Sequence, residues 1–253
     1  MKVSIITVTY NSAETVEDTI QSVLKQDYPD IEYLIIDGQS TDETLKIVGR
    51  YEDQIAQVLS EPDQGMYDAL NKGIALARGE VIGILNSDDF YAYPQVISEM
   101  VTKFKQEEAD ACYADLIYVE RDNPKKIKRY WKSGKYRKNS FKRGWMPPHP
   151  TFFVRKSCYE HYGNFNRHLR SAADYELMLR FIHRYQINLA YLPKVIVKMR
   201  EGGMSNLNLV ARLRGNQEDQ KAWRINGLKP AKLTFFLKPF RKLFQFIRLK
   251  REL

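Results

Sequence analysis

The sequence has 253 residues, of which 43% are hydrophobic and 28% are charged, and its formal net charge is +9. This length supports one sizeable hydrophobic core with a small appendage, and the composition excludes a disordered or low-complexity chain. The positive charge favours an anionic partner, such as a phosphorylated substrate, a nucleic acid or a phospholipid surface, without choosing among them. Two cysteines are too few for a disulfide framework, so we expect both thiols to pack as small apolar groups in a reducing cytosol.

The first residues do not have the pattern of a cleaved secretory signal, because the apolar stretch 3–10 is short and rich in β-branched residues. No run of about 18 apolar residues occurs in the chain, so no membrane-spanning helix is predicted. We therefore expect a cytoplasmic protein that meets any membrane partner at the membrane surface.

The first hundred residues alternate apolar runs with amphipathic segments. The apolar runs predict strands at 3–10, 33–37, 55–60 and 81–85. The amphipathic segments predict helices at 13–27, 43–53, 66–78 and 94–107. Asn11 and Ser12 supply cap chemistry for the first helix, and Gly79 stands where a left-handed residue would end the third. Strand–helix repetition with continuous apolar strands predicts an α/β fold with a mostly parallel sheet covered on both faces.

The pattern changes after residue 100. Further strands are predicted at 110–119, 151–154 and 189–199, and a helix is predicted at 174–185. Residues 121–143 carry eleven Lys or Arg and one acid, with aromatic side chains between them. The last fifty residues are basic and have helical spacing.

The sharpest polar cluster is Asn86-Ser87-Asp88-Asp89, which directly follows an apolar strand. In open α/β sheets, ligands bind outside the carboxyl ends of the strands. Two adjacent carboxylates at such an end suit a hard cation such as Mg²⁺, which takes one or two carboxylates plus substrate phosphates. The same residue types also form turns and helix N-caps, so the cluster alone leaves both interpretations open.

Three other places carry candidate binding or catalytic groups. Asp37 ends the second strand and suits either hydrogen bonding to a base or ribose, or turn chemistry. Thr9, Tyr10 and Asn11 end the first strand with groups that either stack on and hydrogen-bond a base or cap the next helix. Asp174 precedes a helix, where it suits either a general base for an acceptor hydroxyl or an acid that complements the helix dipole.

Several of these groups belong to segments that occur in a fixed order. The segments are 3–11 (VSIITVTYN), 37–42 (DGQSTD), 60–65 (SEPDQG) continuing into 68–73 (DALNKG), and 86–89 (NSDD). Their combined order and spacing resemble the bacterial family 2 glycosyltransferases, which are inverting enzymes of the GT-A fold. The resemblance is clear over residues 1–100 and weaker at 148–153 and 172–180.

The resemblance implies a nucleotide-sugar donor, a Mn²⁺ or Mg²⁺ cofactor and an acceptor that offers a hydroxyl group. The donor-binding residues that it implies are Thr9, Tyr10, Asn11, Asp37, Asp63, Lys72, Asn86 and Asp88. Asp89 would be the direct metal ligand, and His149 would contact the metal or diphosphate or line the acceptor site. Asp174 would deprotonate the acceptor hydroxyl for in-line attack at the anomeric carbon, which inverts its configuration.

The sequence departs from the family pattern at three positions. Asn86 begins the acidic cluster where many members have Asp, which weakens one metal ligand. Leu70 stands where many relatives have Arg, so Lys72 is the substitute donor contact. Ala173 precedes Asp174 where the family often has an acid.

The C-terminal residues 228–253 carry eight Lys or Arg and one acid. Apolar residues recur among them at helical spacing, at Phe240, Leu243, Phe244 and Ile247. Such a helix either lies in an anionic headgroup layer, where each Lys or Arg contributes about 1 kcal/mol, or packs on the catalytic domain. The basic segment 121–143 fits a lipid diphosphate better than nucleic acid, because it lies inside an enzyme-like fold.

We expect a GT-A catalytic domain at 1–205, with a nucleotide-binding half at 1–107 and an acceptor-binding half at 108–205, followed by a basic amphipathic helical segment at 206–253. The expected function is metal-dependent, inverting hexosyl transfer from a UDP-sugar to a lipid-linked saccharide in O-antigen, capsule or exopolysaccharide synthesis. The enzyme would lie on the inner face of the bacterial inner membrane. UDP is expected from its frequency in the family.

Two alternatives remain for the function. One is a non-catalytic module of the same fold that binds a sugar or a membrane, against which the four intact acids Asp37, Asp88, Asp89 and Asp174 argue. The other is a nucleotidyltransferase, which usually has a glycine-rich phosphate loop that residues 8–11 lack.

Overall fold

The computed structural model describes residues 1–202 and 209–231, together with 234, 235 and 237. Within these residues, nine strands form one sheet. The strands are β1 (Val3–Thr9), β2 (Ile31–Asp37), β3 (Gln57–Ser60), β4 (Val81–Ile84), β5 (Phe90–Tyr91), β6 (Ala111–Val119), β7 (Ile127–Trp131), β8 (Phe153–Arg155) and β9 (Leu189–Arg200). The helices are α1 (Val16–Leu24), α2 (Thr44–Gly49), α3 (Met66–Leu76), α4 (Val96–Gln106), α5 (Lys156–Tyr162), α6 (Ala173–Met178) and α7 (Leu209–Ile225). The strand order is β3-β2-β1-β4-β8-β6-β9-β5, and β7 pairs with β6.

The first half of the sheet is parallel. β1 pairs in parallel with both β2 and β4, and β2 pairs in parallel with β3. All seven residues of β1 are buried, because helices cover both faces of the sheet. On one face the sheet packs against α1, α2 and α4, and on the other against α3, α5, α6 and α7. The predicted α/β architecture with helices on both faces is confirmed.

The second half of the sheet is mixed. β8 lies between β4 and β6 and is antiparallel to both, and β7 is also antiparallel to β6. The long strands β6 and β9 are parallel, and the short β5 is antiparallel to β9. The expected parallel pairing is therefore found in β1–β4 and between β6 and β9, and the remaining pairs are antiparallel.

The start of α1 differs from the prediction. The helix begins at Val16 rather than near residue 13, and no side chain caps it. The polar groups of Ser12 are engaged elsewhere: its hydroxyl lies 2.8 Å from that of Ser87, and its amide donates to the Thr44 hydroxyl at 2.7 Å. Tertiary hydrogen bonds at the sheet edge thus replace the expected N-cap.

The end of α3 also differs from the prediction. The helix ends at Leu76, and Ala77 adopts an extended conformation. Gly79 does not have a positive φ. A side chain there would collide with the backbone of Ser4, with a Cβ only 2.5 Å from its amide nitrogen. Gly79 is therefore needed for close approach to β1 and not for a left-handed turn.

The segment predicted as one helix at 174–185 has two parts. It begins as the α-helix α6 and continues as a π-helix over Leu179–Arg184. π-helical turns inside helices are rare and frequently occur near functional sites.

The described C-terminal part is the helix α7, which agrees with the expected helical character. Most of 228–253, including the predicted membrane-binding helix around 240–247, lies outside the described residues. The proposed domain boundaries stay predictions. In the part of the chain that the structure describes, no helix has both the length and the apolar character needed to cross a bilayer. Cys112 and Cys158 are both buried and unpaired, as expected, and burial raises the pKa of the Cys112 thiol to about 12.

Candidate active site

The ends of the first three strands form one edge on which polar side chains meet. In the register of the sheet, Thr9 of β1 pairs with Asp37 of β2, which in turn pairs with Ser60 of β3. This placement follows from parallel strands whose carboxyl ends are in register, each of which ends in a polar residue. The edge is therefore built from residues far apart in sequence, as expected for a ligand site in an α/β sheet.

Asp37 is the organising residue of this edge. Its carboxylate is fully buried and accepts hydrogen bonds from the hydroxyls of Thr9 (2.8 Å), Ser60 (2.8 Å) and Ser40 (2.5 Å). It also accepts the amide of Ser40 at 2.9 Å. Asp37 thus fixes the loops that follow β1, β2 and β3 relative to one another. The roles of Ser40 and Ser60 were not predicted from the sequence, although both lie in segments that carry the family resemblance.

Tyr10 presents an aromatic surface beside this edge. Its side chain is 66% exposed, although large aromatic side chains are normally buried. A Cβ added to Gly38 would lie 3.5 Å from the Tyr10 ring and closer still to a carboxylate oxygen of Asp63. A side chain at Gly38 would therefore displace the Asp63 carboxylate and contact the Tyr10 ring. The exposed ring offers a surface on which a planar base can stack, and the nearby carboxylate offers a hydrogen-bond acceptor.

Asn11 is held by the loop that follows β2, and Asp63 is held by its own loop. Asn11 has a φ of 49°, and its side-chain oxygen accepts the amide of Thr41 at 2.9 Å. Asp63 accepts the amide of Gly65 at 2.7 Å. Both side chains therefore help to fix the loops beside Tyr10.

Lys72 projects from α3 towards the same loop. Its ammonium group lies 2.8 Å from the Glu61 carboxylate and donates to the carbonyl of Pro62 at 2.8 Å. The hydrogen bond that Lys72 donates to the Glu61 carboxylate raises the pKa of Lys72. In this structure Lys72 supports the loop that carries Asp63, so it is positioned beside the expected donor site with its charge already paired.

The acidic cluster follows β4 and turns into the protein. Asp89 is fully buried, and its Oδ2 accepts a hydrogen bond from the side-chain amide of Asn86 at 3.2 Å. Its Oδ1 is buried and makes no hydrogen bond within the described residues. Thr19 of α1 donates to the backbone carbonyl of Asp89 at 2.7 Å, which fixes the turn. A buried carboxylate oxygen without a partner is costly unless a ligand binds it.

Burial is the main cause that raises the pKa of both acids of this cluster. For Asp89 the neighbouring negative charge of Asp88 adds to the effect. For Asp88, the positive charges of Arg121 and Arg200 oppose it. The cluster is therefore an electrostatically unfavourable pair of carboxylates that a cation would stabilise.

Arg200, at the end of β9, stabilises the backbone of this acidic cluster. Its side chain is only 3% exposed, donates to the backbone carbonyl of Asp88 at 2.9 Å and forms an ion pair with Asp18. The guanidinium also lies over the Phe90 ring, 4.8 Å from its centroid. Sequence reasoning missed Arg200, but its position as a basic residue after a predicted strand was a usable signal.

The residues present fit a divalent cation that is shared with a ligand. In the described ranges, no group of three or more His, Cys, Asp or Glu side chains is assembled to hold a metal by itself. Asp89 offers a free carboxylate oxygen, and Asp88 adjoins it. Mg²⁺ and Mn²⁺ bind to one or two carboxylates when phosphate oxygens complete their coordination. The donor set therefore suits a metal that binds together with a nucleotide diphosphate.

His149 connects this cluster to Asp174. Its Nε2 lies 3.5 Å from the side-chain amide of Asn86, and its Nδ1 lies 3.5 Å from Oδ2 of Asp174. The hydroxyl of Tyr67 donates to the other oxygen of Asp174 at 3.3 Å. Asp89, Asn86, His149 and Asp174 thus form a continuous row of neighbouring side chains across the site.

The turn that carries His149 is rigid. Residues His149–Thr151 form a 3₁₀ turn after Pro148. The Thr151 hydroxyl is fully buried and lies 2.9 Å from the Pro148 carbonyl and 3.0 Å from that of Ala114. The imidazole is therefore held at the site by the backbone of β6.

The model of one protein family, glycosyl transferase family 2, matches residues 4–163. The chain belongs to this family. It is a family 2 glycosyltransferase, as the ordered segments of the sequence indicate, and the matched region contains every predicted site residue except Asp174.

Curated relatives of this glycosyltransferase include proteins named for PGL/p-HBAD biosynthesis and for teichuronic acid biosynthesis. It is 28% identical over 208 residues to a PGL/p-HBAD biosynthesis glycosyltransferase of Mycobacterium bovis, an alignment that covers 80% of this chain and 78% of the relative. It is 41% identical over 90 residues to TuaG of Bacillus subtilis, a putative teichuronic acid biosynthesis glycosyltransferase. That alignment covers 34% of this chain and 36% of TuaG.

Solved structures confirm the fold. The structure of S. aureus TarS 1-349 in complex with UDP-GlcNAc matches with a TM-score of 0.69 at 19% identity, and the match covers 89% of this chain and 65% of that chain. The mannosyltransferase PcManGT from Pyrobaculum calidifontis, in complex with GDP-Man and Mn²⁺, matches with a TM-score of 0.68 at 19% identity. That match covers 98% of this chain and 70% of PcManGT. This glycosyltransferase therefore has the predicted GT-A fold.

Proposed function

We propose that this chain transfers a sugar, with inversion, from a nucleotide-sugar donor to a hydroxyl group of a lipid-linked saccharide. The observation that carries the proposal is the row of side chains from Asp89 through Asn86 and His149 to Asp174. In this row, Asp89 is suited to a diphosphate-bound cation, and Asp174 is the candidate general base. Such an arrangement suits a reaction in which one side of a bond is activated while the other is attacked.

The donor would bind along the edge formed by β1, β2 and β4. Tyr10 supplies the exposed ring for the base, and Thr9, Asn11, Asp37 and Asp63 supply polar groups around it. Because the Asp37 carboxylate already accepts four hydrogen bonds, its contribution to donor binding is to fix the loops and to exchange one hydroxyl partner for the ligand.

The diphosphate would lie beside Asn86, Asp88 and Asp89, with Lys72 at the loop opposite. We expect Asp89, with His149 nearby, to hold Mn²⁺ or Mg²⁺. Such a cation neutralises charge on the leaving diphosphate. Arg200 fixes the turn between the two acids through the carbonyl of Asp88, so the carboxylates keep their positions when the ligand leaves.

The chemical step would use Asp174 as the base. The acceptor oxygen forms a bond to the anomeric carbon while the bond from that carbon to the diphosphate oxygen breaks. The acceptor proton passes to the carboxylate of Asp174, and the bonding electrons leave with the nucleoside diphosphate. Tyr67 and His149 contact the two oxygens of Asp174, and they orient the carboxylate for this transfer.

The relatives support an acceptor in the cell envelope. Their names refer to PGL/p-HBAD and teichuronic acid biosynthesis. The structural neighbours bind donors with two different nucleotides, UDP-GlcNAc and GDP-Man. We propose a UDP-sugar as the donor and Mn²⁺ or Mg²⁺ as the cofactor, in synthesis of O-antigen, capsule or exopolysaccharide.

The basic segments support a peripheral position at the inner face of the inner membrane. Within 121–143, the described side chains of Lys125, Lys138 and Arg143 are exposed. Exposed cations attract an anionic headgroup or a lipid diphosphate. The basic residues of 228–253 would add to this attraction.

Calorimetric titration of the purified protein with UDP, in the presence and absence of Mn²⁺, tests the donor site. We expect binding that requires the metal and that Asp89→Ala removes. Titration with GDP under the same conditions is the matched comparison. Tighter binding of GDP would overturn the assignment of UDP, and no metal-dependent binding of either nucleotide would contradict the proposed donor site.

A further inference from the structure

The segment that leads to Asp174 has no regular secondary structure of its own. Residues 163–172 connect α5 to α6 and carry few backbone hydrogen bonds within the segment. Such a segment needs partners from elsewhere to hold one conformation. Because Asp174 lies only two residues beyond it, the partners of this segment decide how precisely the carboxylate is placed.

The beginning of the segment is anchored by α3 and by the π-helix. The side chain of Asn71 forms two hydrogen bonds with the backbone of Phe165, one to its amide and one to its carbonyl, both at 2.9 Å. Arg167 forms an ion pair with Asp68 at 2.7 Å. Arg180 donates to the carbonyls of Gly163 and Asn164 at 2.7 Å each.

The end of the segment is anchored by α7. The carboxylate of Glu218 accepts the backbone amides of Arg170 (3.1 Å) and Ser171 (2.8 Å). It also accepts the hydroxyl of Ser171 at 2.8 Å. Hydrogen bonds to an ionised acceptor are roughly twice as strong as neutral ones. One side chain of α7 therefore satisfies three donors immediately before Asp174.

The same helix also holds the residues immediately after Asp174. Trp223 is fully buried, and its indole N–H donates to the hydroxyl of Tyr175 at 2.8 Å. The side-chain amide of Asn226, the residue directly after α7, donates to the carboxylate of Glu176 at 2.9 Å. Glu176 in turn pairs with Arg180 at 3.0 Å. Contacts from α7 thus hold the chain both before and after Asp174.

We propose that α7 is a clamp for the segment that carries Asp174 and that Glu218 is a positioning residue for this base. This inference rests on the proposed function and adds a role for a helix outside the region matched by the family model. A catalytic group has to be held within about 0.5 Å of its productive position. Loss of Glu218 leaves three donors without their acceptor and loosens the segment.

Loss of Glu218 should leave the donor edge unchanged. The loops after β1, β2 and β4 are fixed by Asp37, Thr19 and Arg200, and none of these residues contacts α7 in the hydrogen bonds of the described chain. If α7 is such a clamp, loss of Glu218 should reduce sugar transfer and leave donor binding intact. A general loss of folding would change both together.

The kinetic test compares Glu218→Ala with Glu218→Gln and with Gln217→Ala, an exposed neighbour on α7. We expect Glu218→Ala to lower kcat for sugar transfer at least tenfold while KM for the donor changes less than twofold. Glu218→Gln keeps one carbonyl acceptor and should recover part of the loss, and Gln217→Ala should behave as the unchanged protein. An unchanged kcat in Glu218→Ala, or an equal loss of donor affinity and melting temperature, would overturn the positioning role.

Amide hydrogen exchange tests the clamp without any activity. In Glu218→Ala, we expect exchange at 167–175 to accelerate at least tenfold, while exchange in β1 stays unchanged. If the unchanged protein transfers no sugar, the proposed function fails, and exchange alone decides whether α7 is a clamp. Unaltered exchange at 167–175 would overturn the clamp whether or not the protein is active.

Discussion

The imidazole of His149 contacts the carboxylate of Asp174, with Nδ1 3.5 Å from Oδ2. The other ring nitrogen faces the amide of Asn86, which itself donates to Asp89. One histidine therefore lies between the candidate base and the candidate metal site. The family 2 fold brings these groups together although they come from three different parts of the chain.

This relationship makes His149 a sensitive position for transfer. We expect His149→Ala to lower kcat by about 100-fold, the effect of a misplaced catalytic group. Affinity for the nucleotide should fall less, because Asp88 and Asp89 remain. Steady-state kinetics with the donor, together with nucleotide titration, checks the split, and His161→Ala on the exposed side of α5 is the matched control. Transfer at the normal rate in His149→Ala would contradict the assigned position.

Asp37 is expected to support both stability and donor binding. Asp37→Ala removes the acceptor of four hydrogen bonds at a buried position, and the loss of such an acceptor costs about 1–3 kcal/mol. The free energy of unfolding, measured by urea denaturation, should fall by about this amount. Asp63→Ala, in an exposed loop at the same edge of the sheet, should weaken nucleotide binding with little change in stability. Equal unfolding free energies for Asp37→Ala and the unchanged protein would contradict the central role of Asp37.

The acidic cluster predicts a stability that depends on pH and metal. Burial and the charge of Asp88 raise the pKa of Asp89, so the folded state favours the protonated acid. As pH rises above the unfolded value of about 3.9, ionisation of Asp89 therefore destabilises the metal-free fold progressively. Asp89→Asn removes this penalty and should raise the melting temperature of the metal-free protein at neutral pH.

Binding of Mn²⁺ with UDP should reverse the order of the two melting temperatures. The cation favours the ionised carboxylate, so it should stabilise the unchanged protein and leave Asp89→Asn unaffected. Thermal melting between acidic and neutral pH, with and without Mn²⁺ and UDP, measures both effects. A lower melting temperature for metal-free Asp89→Asn at neutral pH would contradict this account of the cluster.

The basic C-terminal segment is expected to provide membrane attachment. Removal of 228–253 deletes eight Lys or Arg, each of which contributes about 1 kcal/mol near an anionic surface. We expect the shortened protein to stay in the supernatant when it is sedimented with anionic liposomes. The full chain should sediment with anionic liposomes but not with neutral ones. Unchanged sedimentation of the shortened protein would end the membrane assignment for this segment.

The meeting of polar strand ends at one edge of the sheet could be predicted from the sequence because strand ends are local features. Thr9, Asp37 and Asp89 each follow an apolar run, and parallel pairing brings such ends to one edge of the sheet without further information. Ser12 shows the limit of local signals. It has the chemistry of an N-cap, but its hydroxyl and amide form tertiary hydrogen bonds to Ser87 and Thr44, which no local pattern indicates.

The surroundings of Asp174 were less predictable because their contacts join distant segments. Tyr67 and Asp174 are 107 positions apart, and Ser171 and Glu218 are 47 apart. Periodicity predicted the helices that carry Tyr67 and Asp174, and the basic helical C-terminus, but not which of their residues meet. The change from α-helix to π-helix after Met178 also has no signal in the spacing of apolar residues.

The most direct test of the proposed site compares Asp174→Asn with Asp89→Ala in the same two assays. Asp174→Asn should bind UDP with Mn²⁺ as the unchanged protein does and should lose transfer to the acceptor, because the amide cannot accept the hydroxyl proton. Asp89→Ala should lose metal-dependent UDP binding and transfer together. Normal transfer by Asp174→Asn would contradict its role as the base, and normal metal-dependent binding by Asp89→Ala would contradict the metal site.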